Sequence, residues 1–262
     1  MSDAPRPQDA EADALFARLA VEAGLDPGDR WVGGYAAYEW VHLRHVLDAY
    51  GLDVAGRAVL EFGCNVGGSL VVLAALGARA TGVDVDPQLP PLALANCRRH
   101  GLEANATVIE AGGALPFDDA SFDLIVANSV LEYVADDALA PTIAELHRLL
   151  RQDGRLLICG TASRLSPKES HSARWLVNYW PKAFDRLTGR SLQRGLSPLA
   201  LAAAFYRRFV RVPDGDAAWR RARIAIHGRL SPAARLCEAL GRMTSLGPGW
   251  MSPTIELVLR RL

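Results

Sequence analysis

Several things are scarce in this chain of 262 residues. Only two of its 29 basic residues are lysines, Lys168 and Lys182, so its positive charge is carried almost entirely by arginine. There are four cysteines, Cys64, Cys97, Cys159 and Cys237, widely spaced and with no CxxC pair. That argues against a disulfide framework and against a zinc site, and fits reduced thiols in the cytoplasm. No apolar run approaches the roughly 20 residues a membrane span needs; the densest, Leu70 to Leu76, is far too short. The stretch from Met1 to Asp13 is acidic and proline-containing with no apolar core, so no secretory leader is expected. Internal repeats and low-complexity tracts are absent too.

What is present is an ordinary globular composition, 50% hydrophobic and 22% charged, enough for one sizeable α/β domain with added elements. Charge is balanced but unevenly placed. Residues 1–162 hold 11 arginines against 23 acids, and residues 163–262 hold 18 basic residues against 6 acids. Two readings are open: arginine-rich helix faces in solvent, or a basic cap that attracts an anionic acceptor.

The pattern divides the chain into three parts. Residues 1–52 read as helical, with Leu15, Leu19 and Ala23 on one helix face and Tyr38, Val41 and His45 on a second. Residues 53–162 alternate short apolar strands (Ala58 to Phe62, Ala80 to Val83, Thr107 to Ile109, Phe122 to Ala127, Arg155 to Cys159) with helices. This predicts a parallel sheet covered on both faces. Residues 163–262 change texture. Trp, Tyr, Pro and Arg are frequent, Ser197-Pro198 marks a helix start, Ser231-Pro232 breaks a later helical run, and Thr254 to Leu259 alternates as a closing strand.

The chemistry concentrates after the first strand, in Glu61-Phe62-Gly63-Cys64-Asn65-Val66-Gly67-Gly68. Glycines at a strand–helix junction let a ligand lie against the backbone at the carboxyl ends of the strands. The spacing is GxxxGG, not the GxGxxG that seats a pyrophosphate. Asp84 closes the next strand, where a carboxylate can accept from a ribose diol. Together they favour a nucleoside ligand without pyrophosphate. Cys64 reads as packing and not as a nucleophile.

These segments resemble class I S-adenosylmethionine-dependent methyltransferases. Glu61, Gly63 and Gly67 match the family's first motif, with Asn65 where a middle glycine is usual, and Asp84 matches its ribose-binding acid. Leu115-Pro116-Phe117 with Ser121-Phe122-Asp123-Leu124-Ile125, then Leu131-Glu132-Tyr133-Val134, then Arg148-Leu149-Leu150 into Asp153-Gly154 follow in the family's order. The resemblance spans about Gly56 to Gly160. It implies a Rossmann-like, doubly wound α/β fold with a mostly parallel seven-stranded sheet, a helical N-terminal segment and a cap after strand five. It implies S-adenosylmethionine as cofactor, with Glu61 orienting the methionine end, Gly63, Cys64 and Gly67 forming the floor, Asp84 holding the ribose, and Asn128 and Ser129 facing the methionine portion or the acceptor. The adenine-binding acid expected after strand three is replaced by Ala111, leaving Glu110 or backbone groups to hold the base.

The acceptor reads as a small molecule or a glycan- or lipid-linked group, with O-methylation expected from the family's habits. His171, in Lys168-Glu169-Ser170-His171, is the candidate base; a loop histidine without function is the competing reading. His42, His45 and His147 lie on predicted helices and receive no role. Trp175, Tyr179 and Trp180 either wall an acceptor pocket or pack the cap on the sheet. Tyr35, Tyr38 and Trp40 present the same choice. A nicotinamide-dependent oxidoreductase, a non-catalytic binding module and an RNA methyltransferase are the rival readings.

Overall fold

Continuous apolar runs, whose successive side chains point to opposite faces, make a sheet that is apolar on both sides. Val59, Val126, Leu157 and Val258 point to one face, while Leu60, Ile125, Leu156, Ile158 and Leu257 point to the other, and all are buried. The computed structural model describes residues 4–170, 172–181, 185 and 192–262. Its strands are β1 (Ala58–Phe62), β2 (Arg79–Asp84), β3 (Asn105–Val108), β4 (Phe122–Asn128), β5 (Leu150–Ala162), β6 (Phe209–Arg211) and β7 (Thr254–Arg261), ordered β3-β2-β1-β4-β5-β7-β6. The pairings from β3 to β5 are parallel; β7 runs antiparallel to both β5 and β6. The order reverses between β1 and β4, and such a switch point opens a crevice at the strands' carboxyl ends.

Helices cover both faces. On one lie α2 (Tyr35–Ala49), α3 (Gly68–Ala75) and α7 (Gly215–His227), packed through Leu43, Leu47, Leu70, Leu73 and Trp219. On the other lie α5 (Leu139–Leu149) and α6 (Pro198–Phe205), packed through Ile143, Leu146, Leu201 and Phe205. α4 (Leu89–Arg99) joins the first face and carries α1 (Ala10–Glu22) on its outer side, where Phe16 and Ala20 meet Leu92 and Ala95. Arg99 ties these N-terminal pieces together. Its guanidinium bonds Asp13 Oδ1 at 3.0 Å, Asn96 Oδ1 at 2.9 Å and the Gly33 carbonyl at 2.8 Å, over the Phe16 ring.

Local signals account for the boundaries. Ser197 Oγ accepts from the Ala200 N–H to start α6, and Ser231 Oγ accepts from the Ala234 N–H to start α8 (Pro232–Thr244), so both Ser-Pro pairs act as the sequence predicts. A short α9 (Pro248–Met251) precedes β7. Two expectations change. α2 buries Ala36, Trp40, Leu43 and Val46, not the stripe through Val41, which is 44% exposed. The pattern of Tyr38, Val41 and His45 marks a neighbouring face of the same helix. β5 also begins five residues before Arg155, because Asp153 takes a left-handed φ of 61° inside the strand rather than ending a turn before it. Among the described residues, no helix is long and apolar enough to cross a membrane.

Gly67 has φ 80°, and a Cβ there would sit 2.8 Å from Ala93 Cα on α4. Gly67→Ala is expected to lower stability by about 2–4 kcal/mol, combining left-handed strain with overpacking. A urea titration would read this as a lower midpoint at unchanged slope. An unchanged midpoint would mean that α4 yields at no cost.

Candidate functional site

The turn after β1 is held by hydrogen bonds that only this geometry allows. The N–H groups of Gly63 and Cys64 both donate to the Val83 carbonyl at 2.9 Å. Gly63 has φ 79°, and a side chain on it would overlap Val130. Asn65, at φ 46°, donates its N–H to Asp84 Oδ2 at 2.8 Å, while the Asp86 N–H donates to Oδ1 at 3.1 Å. The Asp84 carboxylate is thus oriented by one backbone donor on each oxygen, with lone pairs remaining for a ligand.

A cavity of about 1000 Å³ opens over this turn at the switch point between β1 and β4. Gly63, Asn65, Asp84, Asn128 and Ser129, all read from the sequence as site residues, border it. At one end its wall is Ile109 to Gly113, with the Ile109 N–H donating to the Asp84 carbonyl at 2.9 Å. Ala111 offers no carboxylate there, but Glu110 is also in the wall. At the other end stand Tyr35, Tyr38, Glu39 and His42 of α2, Arg223 of α7 and Glu256 of β7.

Three of the sequence-derived residues do not border the cavity. Cys64 is buried against Gly82, and Gly67 abuts α4. Glu61 is buried under the turn. Burial pushes its carboxyl well above the usual range, opposed by hydrogen bonds from the Ser69 hydroxyl and the Leu70 N–H at the start of α3. A carboxylate at a helix N-terminus meets the positive end of the peptide dipoles, so Glu61 clamps β1 to α3. His171 lies outside the described residues; Ser170 before it borders the cavity.

Asn128 at the end of β4 joins the parts. Its Nδ2 donates to Ser69 Oγ at 3.0 Å, and it also hydrogen-bonds the Glu39 carboxylate, which accepts from the Tyr35 hydroxyl as well. Ser129 follows with φ 51°, its N–H donating to the Cys159 carbonyl at 2.9 Å. Gly160 opposite has φ 65°, and a side chain there would overlap both Asn128 and Ser129.

At the α2 end Tyr35 and Tyr38 wall the cavity, one of the two choices the sequence left open for them, whereas Glu39 and His42 were not read as site residues. Tyr35, Tyr38, Glu39 and His42 occur at i, i+3, i+4 and i+7, which is one helix face, and that spacing was the available signal. His42, set aside in the sequence reading, borders the cavity and stacks on Tyr38, ring centroids 3.8 Å apart. Its Nδ1 lies 2.8 Å from the Tyr38 carbonyl. A carbonyl can only accept, so Nδ1 carries the hydrogen and Nε2 keeps its lone pair. Burial, outweighing that backbone bond, holds the ring below the usual histidine range. Arg223 pairs with Glu256, whose carboxyl burial lifts to about 7 against the pull of Arg223 and a Tyr50 hydrogen bond.

One expectation fails here. Trp175, Tyr179 and Trp180 are 68%, 52% and 47% exposed and do not border the cavity, because the turn they flank buries Val177 and Asn178 instead. As the solvated-face reading expects, among the described basic residues of 163–262 only Arg223 borders the cavity. Its charged wall is Asp84, Glu39, Glu110, Glu145 and Glu256 against Arg223. The surplus sits on the exterior, as in the Arg220–Glu238 and Arg221–Asp214 pairs.

Residues 60–158, from β1 through most of β5, match the family model described as a methyltransferase domain. Over these residues the chain is similar to S-adenosylmethionine-dependent methyltransferases. Relatives include a demethylmenaquinone methyltransferase of Tropheryma whipplei, 34% identical over 105 residues, which are 40% of this chain and 42% of that protein. A ribosomal protein L11 methyltransferase of Thermus thermophilus is 38% identical over 112 residues, 43% of this chain and 41% of that protein. The chain therefore spans less than half the length of either relative. A solved S-adenosylmethionine-dependent methyltransferase of Methanosarcina mazei is 28% identical, with TM-score 0.39, covering 42% of this chain and 54% of that one.

Two buried carboxyls, Glu39 and Glu256, are each lifted to about 7 by burial. A carboxyl whose folded value exceeds its unfolded value near 4.5 stabilises fully below 4.5 and loses that contribution as pH rises to about 7. The ligand-free protein should therefore melt at a lower temperature at pH 7.5 than at pH 5 on account of these groups. Glu39→Gln should flatten the decline, as read by differential scanning calorimetry. An identical decline in wild type and variant would refute the assignment for Glu39.

Proposed function

We propose that the chain transfers a methyl group from S-adenosylmethionine to a hydroxyl of a small-molecule or lipid- or glycan-linked acceptor. The observation that carries the reading is a neutral histidine, His42, at one end of a cavity whose other end is built around an oriented Asp84 carboxylate.

The residues present fit the cofactor. Asp84 would accept from the ribose hydroxyls, the glycine turn from Gly63 to Gly67 lets the ligand lie close to the backbone, and the wall from Ile109 to Gly113 would flank the base through backbone groups and Glu110. When bound, S-adenosylmethionine supplies a methyl group already activated by its sulfonium. The protein's part is alignment and the exclusion of water. At about 1000 Å³ the cavity is at the upper end of single-ligand pockets, ~300–1,000 Å³, which leaves room for an acceptor beside the cofactor. Tyr35 and Tyr38 offer that acceptor flat apolar faces. A hydroxyl oxygen must lose its proton as it gains the methyl group, and His42 Nε2 would take it. The acidic wall favours a neutral or cationic acceptor over an anionic one.

Calorimetric titration of S-adenosylmethionine and S-adenosylhomocysteine should show binding near micromolar. Asp84→Ala should weaken it by about 1.4 kcal/mol or more, an order of magnitude in Kd. A folded wild type that binds neither would overturn the enzyme reading in favour of a non-catalytic module. In an assay with hydroxylated aromatic acceptors, His42→Asn should reduce kcat by roughly 10²- to 10⁴-fold. Because the His42 ring is held below the usual histidine range, the wild-type rate should already be on its plateau at neutral pH. A rate unaffected by the substitution would move the proton acceptor elsewhere.

A further inference from the structure

Three of the buried glutamates, Glu61, Glu256 and Glu39, sit in different situations. Glu61 is sealed beneath the β1 turn and clamps α3. Glu256 is paired with Arg223. Glu39 differs from both. It is 4% exposed, yet it borders the cavity, and its named partners, the Tyr35 hydroxyl and the Asn128 amide, are neutral. Among the described residues no basic side chain forms an ion pair with it.

We propose that Glu39 is the counter-ion for the α-ammonium group of the cofactor's methionine end. The inference rests on the cofactor reading above. Placement supports it in two steps. Asp84 and the wall from Ile109 to Gly113 fix the nucleoside end of the cavity, so the amino-acid end must extend past the Gly63 turn toward Asn128 and Ser129. Asn128 is the residue that holds Glu39. A carboxylate buried without a cation is costly, and an ammonium ion brought to it relieves that cost on both sides. The proposal reassigns to α2 a role that the sequence suggested for Glu61.

Proton linkage follows. Burial lifts the Glu39 carboxyl to about 7, opposed by its bonds from Tyr35 and Asn128. The titratable groups facing it are Tyr35 and Tyr38 on its own helix, Glu61 on β1 and Cys159 on β5, with Arg223 and Glu256 facing Cys159 from α7 and β7. Burial raises Tyr35, Cys159 and Glu61 as well, the first two far above neutrality. An ammonium ion at Glu39 favours its ionised form, so binding near neutral pH expels a proton. Affinity should rise as pH climbs toward and just above 7, then level off.

The test is calorimetric titration of S-adenosylhomocysteine into the full chain at pH 6, 7 and 8, with pH 7 repeated in two buffers of different ionisation enthalpy. Wild type should release protons at pH 7 and bind more weakly at pH 6. Glu39→Gln keeps a hydrogen-bonding side chain but should bind roughly tenfold to a hundredfold more weakly, without pH dependence. The analogue of S-adenosylhomocysteine that lacks the α-amino group should bind wild type without proton release. If Glu39→Gln fails to fold, that comparison on wild type decides alone, and equal proton release from both ligands would overturn the proposal. Binding of S-adenosylhomocysteine that ignores pH and is matched by the variant would also overturn it, leaving the cofactor reading intact. Absence of binding by folded wild type would remove both.

Discussion

A continuous run of buried polar contacts holds the working end of this protein together. It passes from Glu61 through Ser69 to Asn128, then to Glu39 and the Tyr35 hydroxyl. Its five residues come from four elements: β1, α3, β4 and, for the last two, α2. Such a run in a low-dielectric interior is favourable only when its donors and acceptors are matched. Here the order is consistent: Ser69 accepts from Asn128 and donates to Glu61, while Asn128 and Tyr35 both supply Glu39. The crevice between β1 and β4 follows from strand order, but the distance of α2 from that crevice is set by this run.

The consequence is that α2 is both wall and core. Trp40, Leu43 and Val46 seal it to the sheet side, while Tyr35, Tyr38 and His42 face the cavity. Arg99 fixes the entry to the helix by holding the Gly33 carbonyl, just before the cavity-facing Tyr35. The geometry of that end of the cavity is thus inherited from an N-terminal segment that lies outside the residues matched by the methyltransferase model.

Legibility in the sequence followed the range of the interactions. Short apolar strands, the Ser-Pro helix starts, and the pairing of a glycine turn with Asp84 depend on near neighbours, and they could be read. Asn128 and Ser129 came instead through the family resemblance of the segment at the end of strand four. What depended on contacts distant in the chain could not be read. On α2 the sequence left Tyr35 and Tyr38 open between pocket wall and packing and passed over Glu39 and His42, because only the position of the sheet decides which helix face meets the cavity. Trp175 and Trp180 misled in the opposite sense, as large aromatics that stay half exposed or more. The charge surplus of residues 163–262 carried no information about the cavity, because helix exteriors absorb it.

The position of β7 has a bearing on how such a chain acquires its fold. It is the last of the seven strands in chain order, yet it is inserted between β5 and β6. During synthesis β1 through β5 can zip together as they emerge, each against a parallel neighbour already present. β6 must wait, since its described hydrogen-bonding partner is β7. Glu256 arrives on the same late strand. A nascent chain halted before residue 254 would hold the Asp84 end of the cavity, α2 and Arg223 but lack Thr254 and Glu256, so the wall of the cavity is completed only with the last strand.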